Sequence, residues 1–289
     1  MSYSVIGGPA SSVIARKIAK RLGANYIQSK SRMFPDGESK ITIPSKPKDK
    51  IIIVNSTYPP TDSNLVQTFS LIHKLRQHAL EIIVIIPYLG YMRQDIEFLP
   101  GEMVTSAIVA KFLSACGASK IITADIHSKL ALNYFDIPVQ NVSAVPKLAM
   151  YFKKMKLRKP LVVSPDLFWS NHAKEFASIL GTDSIALNKQ RNRKTGKLKI
   201  IPSKKMDFLR RDVILVDDMI STGNSMIQAA KYLQDRNCGR IFACCTHGIL
   251  VNDAEKRAKQ AGIKKIICTN TIPTKNSLVD VSDILADAV

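Results

Sequence analysis

The sequence has no run of about 18 consecutive apolar residues, the length a membrane span requires, so no transmembrane helix is expected. Its start, Met1-Ser2-Tyr3-Ser4-Val5-Ile6-Gly7-Gly8, lacks the basic stretch and apolar core of a secretory leader, and a cytoplasmic location is the expectation. No two of the five cysteines stand in CxxC spacing. Cys116, Cys238, Cys244, Cys245 and Cys268 are odd in number and mostly lie in or beside apolar runs, which favours buried, reduced thiols over disulfides or a zinc site. Neither GxxxxGK[ST] nor GxGxxG occurs, so two common phosphate-cradling loops are excluded. Acidic residues are few, 23 Asp and Glu against 42 Lys and Arg, for a net charge of +19. Such an excess suits nucleic acid, an anionic membrane surface or small anionic substrates. Many of these cations are scattered lysines, and only 189–205 is a dense basic cluster. That cluster contains no aromatic residue on which bases would stack, so nucleic acid is not the expected partner, and no membrane partner is expected either.

What is present is enough apolar material for packed cores, 46% of 289 residues, in a chain long enough for two domains, though one large α/β domain also fits that length. Short β-branched runs alternate with amphipathic segments, the pattern of parallel sheets with crossover helices. Ile51–Val54, Ile82–Ile86, Lys120–Ala124, Leu161–Ser164, Val213–Val216, Ile241–Cys245 and Lys265–Cys268 read as strands buried on both faces. Asn64–Gln77 and Ser225–Arg236 carry helical spacing, and the expected fold class is α/β with doubly wound, mainly parallel sheets. An internal repeat relates Ile51–Ile86 to Val213–Thr246, with Asn55-Ser56 matching Asp217-Asp218 at an offset of 162 residues (217 − 55). Further on, Cys116–Thr123 matches Ala261–Cys268 at an offset of 145 (262 − 117), so the first copy holds a 17-residue insertion at about Tyr88–Thr105. It follows the carboxyl end of a strand, the edge where open α/β sheets bind ligands, and is read as functional. The domain boundary is placed near Val142–Val145, after Phe135-Asp-Ile-Pro-Val139.

The segment Val213-Ile-Leu-Val-Asp-Asp-Met-Ile-Ser-Thr-Gly-Asn-Ser225 carries most of the chemistry. Two carboxylates, Asp217 and Asp218, stand at the end of an apolar strand, followed by a short loop of small and hydroxylated residues and then a helix. Amides at a helix start point outward with the positive end of its dipole. Thr222 and Ser225 add hydroxyls, and Gly223 lets the backbone come close to an anion. Asp217 and Asp218 then suit the hydroxyls of a sugar or a metal ion.

This segment resembles the phosphoribosyl-diphosphate loop of type I phosphoribosyltransferases, which implies ribose 5-phosphate or its activated diphosphate as ligand at Ser221, Thr222, Gly223, Asn224 and Ser225. Further motifs occur in the order seen in ribose-phosphate pyrophosphokinases: Met33-Phe-Pro-Asp-Gly-Glu38, Pro87-Tyr-Leu-Gly-Tyr-Met-Arg-Gln-Asp95, Ala124-Asp-Ile-His127, Tyr134–Asn141, Val163-Ser-Pro-Asp166 and Leu187-Asn-Lys-Gln-Arg191. The resemblance spans nearly the whole chain. It implies two repeated phosphoribosyltransferase-like domains, 1–143 for ATP and 144–289 for ribose 5-phosphate, the last helix able to pack back on the first. The implied reaction moves the β,γ-diphosphoryl group of ATP to the anomeric oxygen of ribose 5-phosphate and releases AMP.

The same resemblance implies roles residue by residue. Lys189 and Arg191 match the cations of a catalytic hairpin that close over the transferring phosphates, and Lys189–Lys197 reads as a polar hairpin turning at Thr195-Gly196. Arg93, Gln94 and His127 match the ATP site. Phe34, Asp36, Gly37 and Glu38 match a loop that reads the adenine of a neighbouring subunit, which implies a homo-oligomer, a dimer or larger. Asp125, His127 and Asp166 match positions for Mg²⁺, and Asp166 also borders the sugar site; carboxylates suit that ion, while imidazole is an unusual ligand for it.

The sequence departs from the family in two places. Leu167-Phe-Trp-Ser170 stands where the family has a glycine-rich stretch, so Trp169 is expected against a nucleotide or at a subunit contact. Asn224 and Ser225 replace Gly and Thr, mild changes because Asn tolerates left-handed backbone and Ser keeps the hydroxyl. Two alternatives stand beside the pyrophosphokinase. One is a phosphoribosyltransferase that consumes the activated sugar, disfavoured by Arg93-Gln94 and Lys189-x-Arg191. The other is a silent regulatory paralogue, suggested by Leu167–Trp169 and opposed by the retained Lys189, Arg191, His127, Asp217 and Asp218.

Overall fold

Each β-branched run folds as a strand of a parallel sheet. The computed structural model describes residues 3–47, 50–191 and 198–289, side chains of 189–191 and 198–199 excepted. The chain divides into two units, one of 1–143, 271–273 and 281–289, the other of 144–270 and 274–280.

The first unit contains, in chain order, β1 (Tyr3–Gly7), α1 (Ser12–Leu22), β2 (Asn25–Gln28), β3 (Lys30–Met33), β4 (Ser39–Thr42), β5 (Lys50–Val54), α2 (Thr61–Leu75), β6 (Glu81–Ile86), α3 (Thr105–Cys116), β7 (Lys120–Ala124), a 3₁₀ turn (Leu130–Tyr134) and β8 (Val139–Val142). The second holds α4 (Val145–Lys153), β9 (Leu161–Ser164), α5 (Ser170–Leu180), β10 (Asp183–Arg191), β11 (Leu198–Pro202), β12 (Val213–Ile220), α6 (Asn224–Gln234), β13 (Ile241–Gly248), α7 (Ala254–Gln260), β14 (Ile263–Thr269) and β15 (Ser277–Val279). A last helix, α8 (Ser282–Ala286), belongs to the first unit, where it packs on α1 and Asp287 pairs with Arg21 at 2.6 Å.

The sheets run β2-β1-β5-β6-β7-β8 and β10-β9-β12-β13-β14-β15, all parallel, with β11 added antiparallel beside β10. The two orders superimpose position by position, so the repeat legible around Asn55 and Asp217 extends over six strands. In each copy an antiparallel ribbon follows the second strand: the separate β3-β4 hairpin in the first, the β10-β11 hairpin in the second. Alternate residues of the strands divide between two apolar layers. In the second unit Leu161, Val163, Val213, Leu215 and Ala243 pack with α6, while Val162, Ile214, Val216, Phe242 and Cys244 pack with α4 and α5. Both faces are therefore dry, which is why these strands read as unbroken apolar runs.

Several expected boundaries move. β12 and β13 continue four and three residues past Val216 and Cys245, because pairing of Met219 with His247 and Ile220 with Gly248 holds the polar ends in the ladder. Helix α2 begins at Thr61 rather than Asn64, its polar first turn preceding the apolar stripe. Cysteines are all unpaired as disulfides, but only Cys244, Cys245 and Cys268 are buried; Cys116, ending α3, and Cys238, in the turn before β13, are half-buried. No described helix is long and apolar enough to cross a membrane.

Candidate functional site

At the carboxyl edge of the second sheet, neighbouring strands bring three carboxylates together. Asp166 follows β9, and Asp217 and Asp218 lie in the end of β12, which pairs with β9. Asp218 is buried and Asp217 half-buried. Burial, with Asp218 and Asp166 close by, pushes the Asp217 carboxyl well above the ordinary carboxylate range. Its Oδ1 accepts the Asp218 amide at 3.0 Å. The acids thus stand within the strand rather than after it, and the turn shortens to Ser221-Thr222-Gly223.

Gly223 makes that turn, with φ 75° as the N-cap of α6. Asn224 is the first residue of the helix, so the left-handed backbone falls on Gly223, and the tolerance expected of Asn224 goes unused. First-turn amides of a helix have no acceptor within it, and those of Asn224 and Ser225 stand beside the Ser221 and Thr222 hydroxyl residues. The turn is braced from outside. Arg257 of α7 donates to Asn224 Oδ1 at 2.5 Å and to the Thr222 carbonyl at 3.4 Å. Sequence motifs missed Arg257 because it lies 33 residues from Asn224, and no local pattern marks it.

Asp166 is itself held. Its Oδ1 accepts the amides of Phe168 at 3.0 Å and Trp169 at 3.4 Å, and its carbonyl accepts Ser164 Oγ at 2.6 Å. Trp169 is not at a ligand or exposed contact surface: it is 4% exposed, packs with Val145, Leu148 and Phe176, and stacks on His172 with ring centroids 4.1 Å apart. The bulky stretch is a core anchor for α5, while Leu167 and Phe168 remain exposed.

The corresponding edge of the first unit is built differently. Asn55, at the place of Asp217, accepts the Ala10 amide at 3.0 Å and donates to Thr68 Oγ1 at 2.9 Å and the Asn64 carbonyl at 3.2 Å. Ser56 Oγ donates to the Thr271 carbonyl at 2.7 Å and accepts the Tyr88 amide at 3.0 Å. Polar cross-links to other elements of the unit replace the acid pair at that turn. The residues of this copy that the sequence motifs single out lie in the following loops. The Gln94 carbonyl accepts Ser106 Oγ at 3.0 Å, and Gln94 Oε1 accepts Thr105 Oγ1 at 2.5 Å, fixing the insertion to the start of α3 with Arg93 and Gln94 exposed. Asp125, after β7, is buried with φ 35°, its amide donating to the Val142 carbonyl at 2.9 Å, and His127 is half-buried beyond it.

Phe34–Glu38 form the turn of the β3-β4 hairpin. The Phe34 amide donates to the Glu38 carbonyl at 2.7 Å, the Glu38 amide to Asp36 Oδ1 at 3.1 Å, and Gly37 takes φ 92°. Lys189 and Arg191 end β10, paired in register with Ile200 and Leu198; their side chains and the Thr195-Gly196 turn lie outside the described residues.

A family model for the N-terminal domain of ribose phosphate pyrophosphokinase matches residues 3–117, and one for the phosphoribosyl synthetase-associated domain matches 187–289. The chain is 37% identical to the ribose-phosphate pyrophosphokinase of Methanopyrus kandleri over 96% of its own length and 94% of the relative's. It is 37% identical to that of Sulfolobus acidocaldarius over 98% of both.

The chain belongs to the ribose-phosphate pyrophosphokinase family.

A crystal structure of phosphoribosylpyrophosphate synthetase from Mycobacterium smegmatis matches the fold with a TM-score of 0.87, covering 100% of this chain and 97% of the other at 25% identity. Within this family frame the residues expected to face ATP all lie in the first unit, and those expected to face the sugar phosphate all lie in the second. The expected Mg²⁺ set divides, Asp125 and His127 in the first and Asp166 in the second. Among the described residues no three His, Cys, Asp or Glu side chains stand in ligating geometry. The donor chemistry nonetheless suits a hard cation: Asp166, Asp217 and Asp218 offer carboxylate oxygens at one sheet edge, and burial together with the two neighbouring acids holds Asp217 toward protonation, a penalty that a divalent ion would relieve.

Proposed function

We infer that the chain transfers the β,γ-diphosphoryl group of ATP to O1 of ribose 5-phosphate, giving 5-phosphoribosyl 1-diphosphate and AMP. The observation that carries this is the second unit's paired acids followed by a three-residue turn at a helix start. The 5-phosphate sits on the amides and hydroxyls of Ser221, Thr222, Gly223, Asn224 and Ser225. Asp217 and Asp218 accept hydrogen bonds from the ribose hydroxyls, with Asp166 beside them. Arg257 keeps the turn in its binding shape. Arg93, Gln94 and His127 take ATP, and the Phe34, Asp36, Gly37 and Glu38 loop serves the adenine of a neighbouring subunit.

O1 attacks the β-phosphorus as the bond to the α-phosphate oxygen breaks, and the charge on the equatorial oxygens must be neutralised. Lys189 and Arg191 supply that neutralisation from the β10-β11 hairpin, the position in the second repeat that the β3-β4 hairpin holds in the first. Mg²⁺ would supply further positive charge to neutralise the transferring phosphates; Asp125 with His127 in the first unit, and Asp166 in the second, are the residues that would hold a magnesium ion. An oligomer suits the insertion, whose Phe98, Leu99 and Met103 are 64–71% exposed. The Leu167–Trp169 departure gives no support to a silent paralogue, because Trp169 fills the core while Asp166 stays at the site's edge. The test is AMP release: it should require ATP, ribose 5-phosphate and Mg²⁺ together, and release without the sugar phosphate would contradict the assignment.

A further inference from the structure

The opposite edge of the second unit's sheet, where its parallel strands begin, carries a recess of about 590 Å³. Arg158, Arg210, Arg240 and Lys264 line it, with one carboxylate, Asp212, and the thiol of Cys238. Its size lies within the roughly 300–1,000 Å³ typical of small-molecule sites.

Asp212 is already spent on structure. It is 3% exposed, and it accepts the amides of Arg158 at 2.7 Å and Arg240 at 2.9 Å and the Arg240 guanidinium at 2.6 Å. Arg240 is committed as well, to Asp212 and to the Lys156 carbonyl at 2.7 Å. The side chains of Arg158, Arg210 and Lys264 have no hydrogen bond or ion pair with any described residue. Three uncompensated cations thus share one concave space whose only acid cannot serve them. The backbone that presents them is unusual too: Lys159 and Arg210 take φ 41° and 55°, a region L-residues seldom occupy and one that clusters at ligand sites. Bonds from the Arg211 guanidinium to the Lys159 and Pro160 carbonyls, at 3.1 and 2.7 Å, hold those two loops together.

Converging cations on a rigid floor raise the local concentration of anions. A single phosphate carries about −1.5 to −2 near pH 7, less than the charge of three free cations, and a diphosphate carries more. The recess is also remote from the sugar-phosphate turn. β12 alone separates Asp212 from Ser221, about 30 Å of chain at roughly 3.3 Å per residue.

We propose that this recess is a second anion site, which binds the diphosphate group of a phosphorylated small molecule. The group is either inorganic diphosphate or the diphosphate of a nucleotide, and both offer the same oxygens to Arg158, Arg210 and Lys264.

Cys238 reports on the recess directly. In the full-length chain, its alkylation by iodoacetamide is followed by mass spectrometry at constant ionic strength, with Cys116 of the first unit as internal reference. Inorganic diphosphate at millimolar concentration should slow Cys238 at least about threefold while leaving Cys116 unchanged, the slowing expected when about two thirds of the sites are filled. In the Arg158→Gln, Lys264→Gln double variant, whose changed side chains are exposed, the protection should disappear. Rates are compared with and without anion within each protein, because removing cations alters thiol reactivity itself. Protection by ADP at lower concentration than by inorganic diphosphate assigns the nucleotide; equal protection assigns the inorganic anion. No slowing, equal slowing by chloride, or undiminished slowing in the double variant overturns the proposal.

Discussion

Replacing Arg257 by Gln removes the brace from the sugar-phosphate turn without touching the acids, the strand or the helix that form it. Two bonds are lost, a short charge-assisted one to Asn224 Oδ1 at 2.5 Å and a long one to the Thr222 carbonyl at 3.4 Å. Because Asn224 is exposed and Arg257 half-buried, solvent screens the pair, and about 1 to 2 kcal/mol is the expected loss, below that of a fully buried charged bond. If the energy is used to hold the turn ready for the phosphate, the KM for ribose 5-phosphate rises about 5- to 30-fold while kcat changes little, the pattern of lost uniform binding. Steady-state kinetics with saturating ATP and Mg²⁺ measures this, and Arg257→Lys should recover part of the loss. A double-mutant cycle with Asn224→Ala identifies the route, since an effect passing through Asn224 makes the two changes less than additive. A fall in kcat at unchanged KM, or additive effects, would refute the bracing role.

Asp217→Asn should weaken ribose 5-phosphate binding and yet stabilise the fold. The folded carboxyl titrates above its ordinary value, so the folded state holds its proton more tightly and stability falls as pH rises through that range. In chelator, without substrate, the variant should therefore melt higher than the parent at neutral pH, with the gain shrinking as pH falls toward the usual carboxylate range and gone below it; an equal or lower Tm at neutral pH contradicts the electrostatic reading. Lys189→Ala should lower kcat by about 100-fold or more, the scale of a charge aimed at the transition state, while circular dichroism and Tm stay unchanged. Near-normal turnover would remove Lys189 from the chemistry.

Much of the fold was legible because parallel strands buried on both faces must be apolar throughout. Ile51–Val54, Lys120–Ala124 and Leu161–Ser164 needed little but composition. The strands at the sheet margins were not read, since β2, β4 and β8 are half exposed and carry mixed sequences such as Asn25-Tyr-Ile-Gln28. The site was legible where its parts are contiguous, as in Asp217-Asp218 and Ser221–Ser225. It was illegible where the parts meet through space, as with Arg257 and the turn or the cations around Asp212.

Sequence by itself determined the α/β class, the twofold repeat and the acid-then-turn motif, because each is a local pattern of residue types at fixed spacing. Tertiary structure alone decided how each copy of the repeat uses the residues at the end of the third strand of its sheet. Asn55 and Ser56 are spent on cross-links to Ala10, Thr68, Tyr88 and Thr271, whereas Asp217 is pressed against Asp166 and Asp218. It likewise decided that Trp169 belongs to the core. The physical reason is that hydrogen-bond partners and burial are set by neighbours brought in from distant strands, and no window of sequence contains them.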